Sequence, residues 1–245
     1  MASSRAPRLT SAEVICVLFD VDGTLISSGG AGAASWRLAF DDLYGIPADI
    51  GKFTDDGMTE PDVGRLTFKA AVGHEPTKKE LARVMSTRLQ YLRQTVAESK
   101  AFRVLPGVER TLERLHSEGY LLGIITGGVE AAAHMKLARA NLNHYFCFGG
   151  YGSDSVDRIE LTRTAIARAA TLLGEPLDPQ ETLAVGDTPR DIEAGHGAGA
   201  LAAGVATGHY STQDLRAAGA DFVLGSLEEE LPLNPAGHPP RSSPA

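Results

Sequence analysis

Asp20 and Asp22 stand two positions apart at the end of the apolar run VICVLFD, and Gly23 and Thr24 follow at once. In extended backbone, residues i and i+2 face one side with Cα atoms roughly 6–7 Å apart, so two carboxylates there can address one bound molecule from different angles. Gly23 permits a sharp turn and a close approach of backbone N–H groups to an anion. Two other segments carry related chemistry. GIITGG ends in Thr126-Gly127-Gly128 before a helical stretch, where a hydroxyl and unhindered N–H groups at a helix N-terminus offer a perch for phosphate. LAVGD ends in Asp187, and Thr188-Pro189-Arg190-Asp191 follows.

Carboxylates gathered at one edge repel each other and any anionic substrate unless a hard cation lies among them. Oxygen ligands with room for water suit Mg²⁺. Carboxylates, Mg²⁺ and a phosphate perch together point to phosphoryl transfer.

The elements that must position these groups follow from periodicity. VICVLFD reads as a buried strand, and from about residue 104 apolar strand-like runs alternate with helical stretches: YLLGIITGG, YFCFGGYG, TLAVGDT, LAAGVAT and DFVLGS are the runs. That alternation means βαβ units, hence an α/β fold with a mostly parallel sheet covered on both faces. In such sheets ligands bind at the carboxyl ends of the strands, where Asp20, Thr126 and Asp187 fall. Between the first strand and the rest lie helical stretches near 35–45, 59–73 and 77–99. In the last, Leu81, Met85, Leu89, Leu92 and Val96 recur at helical spacing, and Thr77 with Glu80 makes a capping box. Some 75 residues exceed what one crossover needs, so they read as an inserted domain. The expected map is a core of 13–26 and 103–228 and a helical cap of 27–102. Disordered ends at 1–12 and 232–245 complete it, the latter with five prolines and no apolar periodicity.

Bulk properties narrow the partners. The chain has 245 residues, 43% of them apolar, enough for one good core and a smaller second one. Its net charge of −8 argues against binding nucleic acid or anionic lipid through charge. No apolar run approaches a membrane span, and MASSRAPRLTS lacks the apolar stretch of a secretory leader. Cys16 and Cys147 both sit in apolar runs and read as reduced, buried thiols of a cytoplasmic protein.

DVDGT, a Thr closing the second core strand, and GDTPRD together resemble the haloacid dehalogenase superfamily of phosphohydrolases, most nearly its phosphoglycolate phosphatase-like branch. The likeness covers about residues 13 to 226. It implies a Rossmann-like parallel-sheet core with an inserted small α-helical cap. The implied activity is a Mg²⁺-dependent phosphatase for a small phosphorylated metabolite, phosphoglycolate-like or a sugar phosphate. Asp20 would be the nucleophile that becomes an aspartyl-phosphate, and Asp22 the general acid and base. The Asp20 carboxylate, the Asp22 carbonyl and Asp187 would hold Mg²⁺, with Asp191 behind them or acting through water. Thr126 and Gly127 would hold the phosphoryl oxygens beside Gly23 and Thr24. The lysine usual in the family is missing from GSDSVDRIELTR, leaving Arg158 as the first replacement and Arg163 as the second. DDGMTEP resembles the family's substrate loop, matching at Gly57 and Thr59 with Glu60 in place of Asp, and His209 in GVATGHYS would rim the pocket. The presence of Asp22 argues against the family's dehalogenases and phosphonatases. A hexose-phosphate mutase is the enzymatic alternative. A non-catalytic domain that binds phospho-ligands is the alternative of another class, although it predicts loss of Asp20, Asp22 or Asp187. Oligomeric state is not legible.

Overall fold

β1 (Cys16–Phe19) is the centre of the molecule: four apolar residues, all buried, with no polar side chain until the chain reaches Asp20. The computed structural model describes residues 14–52 and 57–233. Beside β1 run β4 (Leu121–Thr126) and β6 (Thr182–Gly186), and β5 (Gly149–Tyr151), β7 (Leu201–Val205) and β8 (Phe222–Leu224) complete a six-stranded sheet ordered β5-β4-β1-β6-β7-β8. All of its pairings are parallel. Alternation along β1 splits the core in two. Val17 and Phe19 pack with Leu112 and Leu115 of α4 (Val108–Ser117) and Leu137 of α5 (Glu130–Arg139), whereas Cys16 and Leu18 pack with Leu161, Ala165 and Ala169 of α6 (Arg158–Leu173). α7 (Pro189–Gly197) and α8 (Thr212–Ala217) close the sheet beside β7 through Ile192, Ala202 and Leu215. This is the Rossmann-like α/β architecture expected from the alternation.

The inserted segment is helical as anticipated: α1 (Ala31–Tyr44), α2 (Glu60–Val72) and α3 (Lys78–Glu98). Trp36, Phe40, Phe68 and Val84 form its own small core. The capping box at Thr77 is present, with the Glu80 N–H donating to the Thr77 hydroxyl at 3.2 Å and the Thr77 N–H to the Glu80 carboxylate at 2.8 Å. The chain enters and leaves this unit through two short antiparallel strands, β2 (Ile26–Ser27) and β3 (Arg103–Val104), paired Ile26 to Val104 and Ser27 to Arg103. The cap also leans on the core, since Leu92 and Val96 of α3 pack with Val129, just before α5, and Ala132 of α5.

Two expectations need correction, and a third falls outside the described residues. α1 begins at Ala31 rather than near 35, because the alanines of AGAAS favour helix although they show no amphipathic period. The strand read in YFCFGGYG shrinks to three residues, since Phe146 and Phe148 pack into opposite cores and Cys147 between them is exposed. The expected N-terminal segment and most of the expected C-terminal one lie outside the described residues, as do the first two residues of DDGMTEP; Leu231, just before the second segment, is buried in the main core.

Candidate active site

β4, β1 and β6 are neighbours, so Thr126, Asp20 and Asp187 emerge side by side at their carboxyl ends. The Asp20 N–H donates to Val185 O at 2.9 Å, which ties its position to the β1–β6 register. After Asp20 the chain folds into a tight turn: Gly23, at φ +89, donates its N–H to Ile26 O at 2.8 Å before the chain enters β2. Asp20, Asp22, Gly23, Thr126, Gly127, Asp187 and Asp191 all line one cavity of about 520 Å³, together with Arg158, Gly57 and His209.

Asp187 is held on several sides. The Thr24 hydroxyl donates to it at 3.1 Å, and a Cβ at Gly23 or Gly208 would collide with its carboxylate. Thr24 is fully buried and does not line the cavity, so the structure places its hydroxyl on the carboxylate and not on the phosphate site expected for it. Thr59 likewise lines a smaller neighbouring cavity with Arg190 and Glu193, whereas Gly57 and His209 reach the main one. Asp191 takes the Thr188 N–H and hydroxyl at 3.0 and 2.7 Å and thereby caps α7. Thr126 accepts the Gly128 N–H at 3.2 Å through its hydroxyl.

Arg158 opens α6, directed to the site by Asp157, whose carboxylate caps that helix at the Ile159 N–H. Its guanidinium is ion-paired with Asp191, lies 3.6 Å from Asp20, and donates to Gly57 O at 3.2 Å. Arg163 is elsewhere: it is exposed, paired with Glu160 at 2.6 Å and bonded to Gly197 O at 2.7 Å. Of the two arginines offered for the missing lysine, the structure brings only Arg158 to Asp20.

Two groups escaped the sequence reading. Lys136 of α5, only 5% exposed at its side chain, donates its ammonium to the Asp22 carboxylate. A signal was available, since Ala132, Ala133, Lys136 and Leu137 share the buried face of α5 and a lysine on such a face needs a carboxylate. The second is Arg88, the partner of Glu60, a residue that the sequence reading names only within the expected substrate loop. The Glu60 carboxylate, at the start of α2, meets the buried Arg88 guanidinium in a two-pronged pair at 2.5 and 2.9 Å and accepts the Val129 N–H at 3.0 Å. The Glu60 N–H donates to Gly127 O at 2.7 Å, so the cap is bonded directly to the Thr126–Val129 loop.

The electrostatics ask for a cation. Burial, reinforced by the charge of Asp191 and opposed by Arg158, raises the Asp20 carboxyl well above the usual carboxylate range. Burial and Asp191 likewise push Asp187 up to about 7. Asp20, Asp22, Asp187 and Asp191 crowd together with Arg158 and Lys136 as their ion-pair partners, and burial still disfavours the charged forms of Asp20 and Asp187. All-oxygen donors whose anionic forms lack compensation fit Mg²⁺. Among the described residues no three Asp, Glu, His or Cys side chains form a metal cluster by themselves. The expected set needs only two, Asp20 and Asp187, because its third oxygen is the main-chain carbonyl of Asp22.

Residues 15–199 match the family described as haloacid dehalogenase-like hydrolase. A phosphoglycolate phosphatase of Aquifex aeolicus is 30% identical over 188 residues, covering 75% of this chain and 80% of that one. A pyrophosphatase PpaX of Halalkalibacterium halodurans is 26% identical over 90% of this chain and 97% of that protein. Among solved structures, that of a predicted phosphoglycolate phosphatase from Haemophilus somnus 129PT superposes with a TM-score of 0.69 at 22% identity, over 90% of this chain and 96% of the other.

Proposed function

Because the chain belongs to the haloacid dehalogenase-like hydrolase family and is a phosphatase of it, we propose that it is a Mg²⁺-dependent phosphatase of a small phosphorylated metabolite, working through an aspartyl-phosphate. One observation carries the reading: Asp20, Thr126 and Asp187 end three adjacent parallel strands and line one cavity, with Arg158 3.6 Å from Asp20.

The Asp20 carboxylate attacks phosphorus; its new O–P bond forms as the ester O–P bond breaks. Asp22 gives its proton to the departing alkoxide, then takes one from the water that attacks the aspartyl-phosphate, and inorganic phosphate leaves with Asp20 restored. Lys136 holds the Asp22 carboxylate in place for both transfers. The Thr126 hydroxyl and the Gly127 N–H donate to phosphoryl oxygens, and Arg158 offsets charge that accumulates beside Asp20. Mg²⁺ would be held by Asp20, Asp187 and the Asp22 carbonyl, and when bound supplies further neutralisation of the phosphoryl charge. Gly57, Met58 and Glu60 bring the cap over the cavity, which favours small substrates such as phosphoglycolate or sugar phosphates over phosphorylated proteins.

Phosphate release from p-nitrophenyl phosphate tests the reading. Wild-type turnover should vanish on chelation of Mg²⁺, and Asp20→Asn should lose about 1,000-fold or more in kcat. A wild-type protein with no Mg²⁺-dependent release would favour the non-catalytic phospho-ligand-binding alternative instead.

A further inference from the structure

Arg103 is a basic side chain of the cavity wall that the chemistry above does not use. Arg103 lies on β3, at the return from cap to core, and lines the cavity beside Ser27, Ser28, Gly29 and Leu105. Its placement follows from strand geometry. Residues i and i+2 share a face, and Arg103 and Leu105 both line the cavity while Val104 between them packs on the main core. Ser27, its cross-strand partner, lines the same wall. The wall is tied to the core through the Leu105 N–H, which donates to Leu25 O at 3.0 Å, and through the pairing of Val104 with Ile26, while the Ser99 hydroxyl at the end of α3 donates to Ser28 O at 3.0 Å.

Charge distinguishes Arg103 from the other cations near the site. Arg158 is engaged by Asp191 and Asp20, and Lys136 by Asp22. Arg103 makes no ion pair or hydrogen bond through its side chain among the described residues, although it borders a cavity whose other charged walls are mostly carboxylates. A guanidinium kept unpaired at the edge of an acidic site is available to a ligand's anion, which it can grip with two parallel N–H donors. The glycines and serines of residues 27–30 leave room beside it and offer hydroxyls.

We propose that Arg103 binds a second anionic group of the substrate, a carboxylate or a phosphate, and so selects phosphoesters and phosphoanhydrides that carry negative charge at both ends. The inference rests on the phosphatase reading and deepens it. The phosphoryl end faces Asp20 and Thr126; the distal end meets Arg103, Ser27 and Ser28. Sugar phosphates, whose distal end is neutral, are the poorer substrates.

The test compares kcat/KM for 2-phosphoglycolate, inorganic pyrophosphate and the neutral-tailed propyl phosphate in wild type, Arg103→Met and Arg103→Lys. The first two separate a distal carboxylate from a distal phosphate. Losing a charge-assisted contact should lower the ratio of kcat/KM for the preferred doubly anionic substrate to that for propyl phosphate by about 10–100-fold in Arg103→Met, mainly through KM. Arg103→Lys should recover part of that ratio. An unchanged ratio in Arg103→Met overturns the assignment while leaving the phosphatase intact, as does a wild type that prefers propyl phosphate. A wild type that hydrolyses none of these, nor p-nitrophenyl phosphate, overturns both.

Discussion

Lys136 and Asp22, 114 positions apart in sequence, are joined by an ion pair from a lysine buried on α5 to a carboxylate in the turn after β1. The lysine is enclosed while Asp22 remains 42% exposed at its side chain, so the pair aims a carboxylate that can still meet substrate and water.

That geometry predicts a dependence on the leaving group. A p-nitrophenolate departs without a proton, whereas an alkoxide needs one from Asp22. Lys136→Met should therefore slow an alkyl phosphate by about 10–100-fold and p-nitrophenyl phosphate much less, a fraction of what general-acid catalysis contributes. Steady-state rates over a series of esters with graded leaving-group acidity check this. Equal slowing across the series would make Lys136 merely structural.

The crowded carboxylates predict a conflict between stability and function. Asp187 has a folded pKa near 7, above its unfolded value. In metal-free protein the stability tied to its protonation is present below about pH 4 and is lost as pH rises toward 7. Asp187→Asn, tested at pH 7.5 in EDTA, should raise Tm by roughly 2–6 °C, corresponding to about 1–2 kcal/mol. Mg²⁺ should raise the wild-type Tm and do little for the variant. Thermal scans of both proteins with and without Mg²⁺ measure the four values; a variant less stable than wild type in EDTA contradicts the prediction.

The thiols should differ sharply. Burial pushes Cys16 up to about 12, leaving it protonated and inert at pH 8, whereas Cys147 is exposed. Titration with a chromogenic disulfide reagent at pH 8 should give one fast thiol that Cys147→Ser removes, and a second only after denaturation.

The reading of both cysteines as buried failed for a reason that also limited the site. Apolar neighbours place a residue in a strand, but Cys147 lies just before the edge strand β5, where the local pattern says nothing about which flank is covered. Asp20, Thr126 and Asp187 were legible because each ends an apolar run, and strand ends in a parallel sheet converge by topology alone. The resemblance puts Thr24 beside the phosphate, whereas its hydroxyl meets the carboxylate of Asp187, 163 positions away, a contact that no local spacing encodes. Lys136 is legible as a buried lysine in need of a carboxylate, but its partner Asp22 is 114 positions away; Arg88 and Arg103 depend on the packing of the cap and its hinge, which no local spacing encodes.

Glu60 makes the two domains answer to each other. Raising α2 would strip Gly127 O and the Val129 N–H of their partners and separate them from the carboxylate that neutralises Arg88. An anion that steadies the Thr126–Val129 loop must then resist opening, and by reciprocity whatever holds α2 down tightens the grip on that anion by the same factor. Arg88 lines no part of the cavity. Through Glu60, a substitution at Arg88 should nevertheless alter the affinity for an anion held by that loop.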